Sequence, residues 1–395
     1  MNELMDCHEI VIEDGGHVLS RIYVGNELAG VGRCLAGFPA VYVVYDRNVE
    51  QHATDLLSSL SEQGIRIADS CPLSATEEEK CMDTVTGLCR WLMEKGADRN
   101  ALLLAVGGGI TTDMAGFAAS VYKRGIRFAY LPTTLLAQVD AAIGGKTGVN
   151  LDSYKNMIGV IRQPEFTWLC PEVLSSLDYR TFLSGAAEML KTFIISDGGW
   201  YDRAVRFLSE MNGVRYRDFI NSRKMDLAAM IAAAASVKAR IVSADQFERG
   251  ERRKLNLGHT FAHAVEWYER GMVKPEAGRL TEAERGQSGV TAEFSHGEAV
   301  AVGIILAARL SEAAGVAPAG LEERLRTDFI ACGLPVDCLF PLEELTGAMA
   351  RDKKAEDGKI HFILIKGIGE VTEYDMTAAE AAEYLKGNHP FGYGK

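Results

Sequence analysis

Residues 101–113 read ALLLAVGGGITTD: six apolar residues with no polar alternation run straight into three glycines, and an aspartate follows after three intervening residues. A strand that is apolar at every position is buried on both faces, which is the habit of a parallel sheet covered by helices. Where such a strand ends in glycines and opens a helix, backbone N–H groups and the helix N-terminus can hold a pyrophosphate. The pattern is not G-x-G-x-x-G, so a plain tight turn stands beside that reading.

The flanking segments extend the same design. AVYVVYD (40–46) is a β-branched run ending in Asp46, and ATEEEKCMDTVTGLCRWLMEKG (75–96) has apolar residues at helical spacing before a glycine stop. DMAGFAASVYKRG (113–125) reads as a helix, and IRFAYLPTT (126–134) as a strand that brings Thr133 and Thr134 to the carboxyl edge of the sheet, where open α/β folds bind ligands. Together these predict an α/β N-terminal Rossmann-like domain over residues 1–165. After Gln163-Pro164 the texture changes. SGAAEMLKTFIISD (184–197), DLAAMIAAAASVKARIVSADQFE (226–248), GHTFAHAVEW (258–267) and GEAVAVGIILAARLSEAAG (297–315) read as helices, several apolar nearly all round. They predict a mainly α-helical C-terminal domain, 166–395. Near the end, KIHFILIKGIGEVTEYDM (359–376) reads as a hairpin turning at Lys366-Gly367, and AAEAAEYLKG (378–387) as a closing helix. The polar, glycine-containing stretch Gly271 to Ser295 reads as a surface insertion.

A chain of 395 residues exceeds the roughly 250–300 over which one core keeps growing, which favours two domains. Its 47% apolar and 24% charged content is that of an ordinary globular protein. No run of about 18 apolar residues stands in the sequence, so no membrane span is expected. The acidic start lacks an apolar signal segment, so a cytoplasmic location is expected. The eight cysteines form no C-x-x-C and no regular spacing, and read as buried free thiols. A net charge of -12 argues against nucleic acid as a partner, and leaves room for a small anionic substrate where cations cluster.

Three of the eight histidines stand in helical contexts suited to metal or proton chemistry: His259 and His263 in NLGHTFAHAVEW, and His296 in SHGEAVAVG. The first two are spaced i, i+4, so they share a helix face and can converge on one ligand. AAEMLK sets Glu188 and Lys191 three apart among residues that belong in a core. A buried carboxylate needs a partner, either Lys191 in an i, i+3 ion pair or a metal shared with His259 and His296 in the three-ligand arrangement of catalytic Zn2+. VDAAIGGKTGVN supplies Asp140 and Lys146, KNMIG supplies Lys155 and Asn156, and VKARIV, ERRKLNLGH and RDKKAEDGK add Lys238, Arg252, Asn256 and Lys353. Lysines on glycine-rich backbone suit a phosphate or carboxylate; solvated loop lysines are the plainer alternative.

These motifs, GGGITTDMAGFAASVYKRGIRFAYLPTTLLAQVDAAIGGKTGVN, KNMIG, SGAAEMLK, NLGHTFAHA and SHGEAVAVG in this order, resemble the 3-dehydroquinate synthase family of sugar-phosphate cyclases from about Asp46 to Lys354. The resemblance implies an NAD- and Zn2+-dependent lyase, with Co2+ as an alternative metal. It would convert 3-deoxy-D-arabino-heptulosonate 7-phosphate to 3-dehydroquinate and phosphate in the shikimate pathway. Transient oxidation, β-elimination, reduction and aldol closure would regenerate NAD each turnover. It implies metal ligands at Glu188, His259 and His296. It implies cofactor contacts at Asp46, Glu77, Lys80, Gly108, Gly109, Asp113, Thr133, Thr134, Lys146, Lys155, Val173 and Ser176. Substrate and catalytic positions fall on Arg124, Asp140, Lys146, Asn156, Lys191, Lys238, Arg252, Asn256, His263 and Lys353, and a homodimer is usual for the family. His259 thereby becomes a ligand and His263 a substrate residue.

Three departures accompany the resemblance: Thr112 where relatives often carry glycine, which bears on the backbone path of the turn; Ser176 where threonine is usual; and a long stretch between His263 and His296. Related cyclases making valiolone or inosose products share cofactor and metal but act on substrates without the carboxylate, whereas Arg252, Asn256 and His263 retain the dehydroquinate-type set. A metal-dependent alcohol dehydrogenase of related fold, which would release NADH, is the rival from another reaction class.

Overall fold

The run at 101–106 forms the expected buried strand in the computed structural model, which describes residues 7–152, 154–211, 213–269, 294–338, 345, 349, 355–356 and 359–386. Strand Leu102–Gly107 (β5) is buried at every position. Its neighbours are β3 (Val41–Asp46) on one side and β6 (Arg127–Pro132) on the other, both parallel to it. With β4 (Ile67–Leu73) and β9 (Phe166–Leu169) they form a parallel sheet in the order β4-β3-β5-β6-β9. This is the doubly wound order in which connections leave β3 and β5 in opposite directions, opening a crevice beyond their carboxyl ends. Asp46 ends β3 and Gly107 ends β5, so both lie on that edge.

Each face of the sheet carries its own core. Leu103, Tyr42 and Val44 pack under the helices Met82–Glu94 and Gly109–Val121 through Leu88, Leu92, Met114 and Ala118. Leu102, Leu104, Val41 and Val43 pack on the opposite face with Leu56 and Leu60 of the helix Glu50–Glu62. The alternation of odd and even residues between two cores is what an all-apolar strand is for.

Several elements differ from the sequence pattern. An antiparallel hairpin, β1 (Cys7–Asp14) and β2 (His17–Gly25), extends the sheet beyond β9. Gly15 and Gly16 turn it at φ +56° and +81°, a glycine-pair signal that the alternation around it supports. A second hairpin, β7 (Lys146–Leu151) with β8 (Tyr154–Ile161), occupies what read as lysine-bearing loops. The acidic stretch ATEEEK is a turn, and its helix begins only at Met82, leaving Glu77 and Lys80 on loop backbone. The C-terminal hairpin, β11 (Lys359–Gly367) and β12 (Glu370–Met376), turns at Ile368-Gly369 rather than Lys366-Gly367, because Gly369 takes the φ of +99° that the turn requires.

Two compact units arise, one from the chain up to Gly185 with Arg215–Phe247, the other from Ala186–Val214 with the chain from Glu248 onward. The sequence pattern placed one cut at 165–166, whereas the helix Lys224–Ala244 packs beside β1, where Ser243 Oγ accepts from the Glu13 N–H at 3.0 Å. Among the described residues this is the one helix long and apolar enough to cross a membrane, yet 56% of that stretch is buried within the protein and it carries the paired Lys238. The second unit wraps helices around His296–Ala313, which is buried from Ala299 through Ala308, and includes the β11–β12 sheet. None of the eight cysteines is in a disulfide; Cys170 and Cys332 are buried and the other six half-buried. Residues 271–293 of the expected insertion lie outside the described residues.

Candidate active site

The helix Tyr179–Ser196 buries Ala186, Ala187, Met189, Leu190 and Phe193, and among them Glu188 and Lys191 at 0% and 1% exposure. A carboxylate in such surroundings stays ionised only beside a cation. Lys191 Nζ lies 2.5 Å from Glu188 Oε2, so the expected i, i+3 pair forms. Glu188 Oε1 meanwhile faces His296 Nε2 at 3.4 Å and His259 Nε2 at 3.7 Å. Ion pair and histidine cluster are therefore both present on one carboxylate.

The two histidines are brought there by backbone that only glycine permits. Gly258 takes φ +76° just before the helix His259–Glu269, and a Cβ on Gly303 would stand 2.2 Å from the Gly258 carbonyl oxygen. The His259 and His296 helices therefore meet in backbone contact at this point. His296 is the first residue of its helix, fixed by a capping box in which Ser295 Oγ accepts from the Glu298 N–H and the Glu298 carboxylate accepts from the Ser295 N–H.

The hydrogen bonds on the far side of each ring decide which nitrogen carries the proton. His259 Nδ1 lies 3.2 Å from the Leu257 carbonyl and His296 Nδ1 lies 3.0 Å from Glu266 Oε1. Carbonyl and carboxylate oxygens only accept, so both Nδ1 atoms donate and both Nε2 lone pairs point inward. Three electron-pair donors, two nitrogens and one oxygen, lie within 4.8 Å of one another, a set that fits a divalent metal such as Zn2+. Without a metal a proton takes the cation's place. Burial pulls the His296 pKa down, but hydrogen bonds and charge from Glu188 and Glu266 outweigh it and hold the imidazole up at about 9. His263 stands one turn from His259, ring edge to face at 5.6 Å, and is not among the three convergent groups.

The first unit gathers a second polar cluster. Lys80 is buried, and its Nζ donates at 2.6 Å both to Asp113 Oδ2 and to Asn156 Oδ1. Burial pushes the Asp113 carboxyl up while Lys80 pulls it down, leaving it raised. Asn150 ties Glu77 into the group, donating to its carboxylate at 2.9 Å and, from its own N–H, to the Lys80 carbonyl at 2.9 Å. At the glycine turn, a Cβ on Gly107 would meet Thr111 at 2.5 Å and one on Gly108 would meet Thr134 at 3.1 Å. The Thr133 N–H donates to the Gly107 carbonyl, which joins the two strand ends at one edge. Gly109 begins the helix, and Thr112 sits inside it with its hydroxyl on the Gly109 carbonyl, so the threonine leaves the helical path intact. Ser176 likewise donates to the Val173 carbonyl at 2.7 Å, while Val173 is buried. Asp46 accepts from the Asn48 N–H at the end of β3, and burial raises its carboxyl.

Other expected residues are placed individually. Asp140 lies on a π-helical turn, Ala137–Ala141, an irregularity frequent at functional sites, and pairs with the buried Lys238. Arg252 is buried at 2% exposure, and Asn256 donates to Glu248 at 2.7 Å. Lys146 is exposed and Lys155 half-buried on the β7–β8 hairpin. Arg124 stands exposed just before β6, at the edge of the sheet opposite the glycine turn, about 20 Å of strand away. The structure does not bring it to the crevice. Lys353 lies outside the described residues. Glu266 and Asn150 hydrogen-bond to these groups and lie outside the motif residues named from the sequence. For Glu266 the signal was present, since positions 259, 263 and 266 share one helix face.

Comparison with known proteins agrees with this chemistry. A family model described as 3-dehydroquinate synthase N-terminal matches residues 70–184, and one described as 3-dehydroquinate synthase C-terminal matches 185–274 and 278–355. The 3-dehydroquinate synthase of Alkaliphilus metalliredigens is 35% identical over 374 residues, covering 92% of this chain and 94% of its own. That of Paracoccus denitrificans is 36% identical over 345 residues, 85% of each chain. Among solved structures, 2-epi-5-epi-valiolone synthase from Streptomyces hygroscopicus, with NAD+ and Zn2+ bound, is 26% identical with a TM-score of 0.76, over 92% of this chain and 95% of its own. By matched domains and by identity along nearly its whole length, the chain belongs to the 3-dehydroquinate synthase family.

Proposed function

We propose that this enzyme converts 3-deoxy-D-arabino-heptulosonate 7-phosphate to 3-dehydroquinate and phosphate, with its side chains in the following roles. The observation that carries the reading is the convergence of Glu188, His259 and His296, with Lys191 on the same carboxylate and His263 one turn away. NAD and a divalent metal, Zn2+ or Co2+, supply a reversible hydride acceptor and a Lewis acid when bound. Glu188, His259 and His296 hold the metal. Asp46, Glu77, Lys80, Gly108, Gly109, Asp113, Thr133, Thr134, Lys146, Lys155, Val173 and Ser176 hold the dinucleotide.

The substrate carries a phosphate and a carboxylate, so it needs cations of fixed position. Lys146, Lys191, Lys238, Arg252 and Lys353 supply them, and Asn156 and Asn256 add neutral donors. A positive setting stabilises phosphate as it departs in β-elimination. His263 exchanges protons with the substrate through its imidazole, and Asp140 orients Lys238. The dehydroquinate-type residues Arg252, Asn256 and His263 favour a carboxylate-bearing substrate over those of the valiolone and inosose cyclases.

We infer a homodimer as well: Leu151, Tyr154, Met157 and Val160 on the β7–β8 hairpin are 45%, 56%, 42% and 38% exposed, apolar side chains that a second copy would cover. Eight cysteines with no disulfide suit the reducing cytoplasm. The assay supplies purified protein with the heptulosonate phosphate, NAD and Zn2+ and follows phosphate and NADH together. Phosphate release without net NADH is expected; stoichiometric NADH would identify a dehydrogenase and overturn the reading.

A further inference from the structure

The two metal-binding histidines are oriented by different means. His259 Nδ1 is held by a backbone carbonyl, that of Leu257, which no substitution removes. His296 Nδ1 is held by a side chain, Glu266 Oε1 at 3.0 Å. Glu266 is 9% exposed, on the helix that carries His259, seven residues further on. Seven residues are nearly two helical turns, so Glu266 shares the His259 face and stands about 10 Å along the axis. From there it reaches across to the first residue of the other ligand-bearing helix.

We propose that Glu266 is a positioning residue of the metal centre: it keeps His296 in the Nδ1–H tautomer and fixes its ring plane, so that Nε2 presents its lone pair beside Glu188 and His259. A neutral imidazole without an acceptor at Nδ1 divides between two tautomers, and the one protonated at Nε2 cannot bind metal through that atom. When metal displaces the inward proton, a buried acceptor keeps the remaining proton on Nδ1 and holds the ring in plane. Partners of this kind change metal affinity without touching the metal. Because Glu266 also bridges the two helices, it sets where His296 stands relative to His259.

The inference rests on the metal site assigned above, and the experiment separates the two. Metal-free full-length protein is titrated with Zn2+ against a chromophoric chelator, and the visible spectrum of the Co2+ form is recorded. Glu266→Met, equal in length but without an oxygen to accept the Nδ1–H hydrogen bond, is expected to weaken Zn2+ binding about 10- to 100-fold and to alter the Co2+ bands. Glu266→Gln, whose amide oxygen still accepts from Nδ1, is expected to retain affinity to within a few-fold. Should the Met variant fail to fold, Glu266→Asn serves instead, since its shorter amide cannot reach the ring and must weaken binding alike. Wild-type affinity in the Met or Asn variant, or an equal loss in the Gln variant, overturns the positioning role. His296→Ala tests the underlying site: if it retains full metal occupancy, the ligand assignment itself fails, whatever Glu266 does.

Discussion

Replacing Lys191 by Met should tighten metal binding while abolishing phosphate release. Lys191 Nζ lies 2.5 Å from Glu188 Oε2 and both side chains are buried. At an effective dielectric constant of ~20 two unit charges at that separation attract by about 7 kcal/mol, a ceiling reduced by the desolvation of the lysine. Removing one partner of such a buried pair destabilises a protein by about 3–5 kcal/mol, because the other charge is left uncompensated. That penalty falls on the metal-free protein, where protonated His296, 3.4 Å from the Glu188 carboxylate, offsets it only in part. In the metal-loaded protein Glu188 keeps a divalent counter-charge, and the repulsion between metal and ammonium is gone. If loading recovers about 2 kcal/mol of the penalty, linkage requires the variant to bind metal about 30-fold more tightly than wild type. Chelator competition for Zn2+ gives the affinity, and denaturant unfolding with chelator or with Zn2+ gives the two stabilities. Methionine keeps the length and apolar stem of lysine, so packing is little disturbed. Equal destabilisation in both states, or weaker metal binding, would refute the placement of the ammonium against the ligand carboxylate.

Two further outcomes are expected. His296, raised to about 9 in the metal-free protein, contributes stability that is fully present below its ordinary value of about 6.5 and is lost as pH rises through about 9. Zn2+ loading at pH 7.5 should therefore release a proton from this ring, and the release should fall away as the loading pH is taken well above 9; a pH indicator in weak buffer reads this, with His296→Ala as the control. Gly303→Ala places a methyl 2.2 Å from the Gly258 carbonyl and forces the two ligand-bearing helices apart. The cost is about 1–3 kcal/mol of stability with weakened metal binding. Gly87→Ala, with nothing within 4 Å of the new methyl, should be neutral or slightly stabilising, and equal behaviour of the two variants would remove the argument from close approach.

Legibility in the sequence followed the range of the interactions involved. The all-apolar strand at 102–107 and the long helices could be read because their burial is nearly uniform and each residue reports it. The acidic turn at 75–80 has the composition of a helix, since glutamate and lysine are good helix formers, but tertiary hydrogen bonds to Asn150, Asp113 and Asn156 override that local preference. The β7–β8 hairpin leaves no strand pattern in the sequence because half its surface is exposed and Asp152 and Asn156 adopt positive φ, at +51° and +52°, which interrupt the alternation.

By itself the sequence determined which residues are chemically able to serve: a glycine turn after a buried strand, a carboxylate in an apolar helix, and histidines i, i+4 on one face. That much follows from local periodicity and from the cost of burying charge. The sharing of work among them was decided only by tertiary structure. The pair His259/His263 looks equivalent along the helix, and the choice of His259 comes from Gly258 and Gly303 letting a second helix approach until His296 and Glu188 face its Nε2. Glu266 acquires its part in the same way. Proton placement on a ring depends on the atom opposite its other nitrogen, and that atom is supplied by packing between helices.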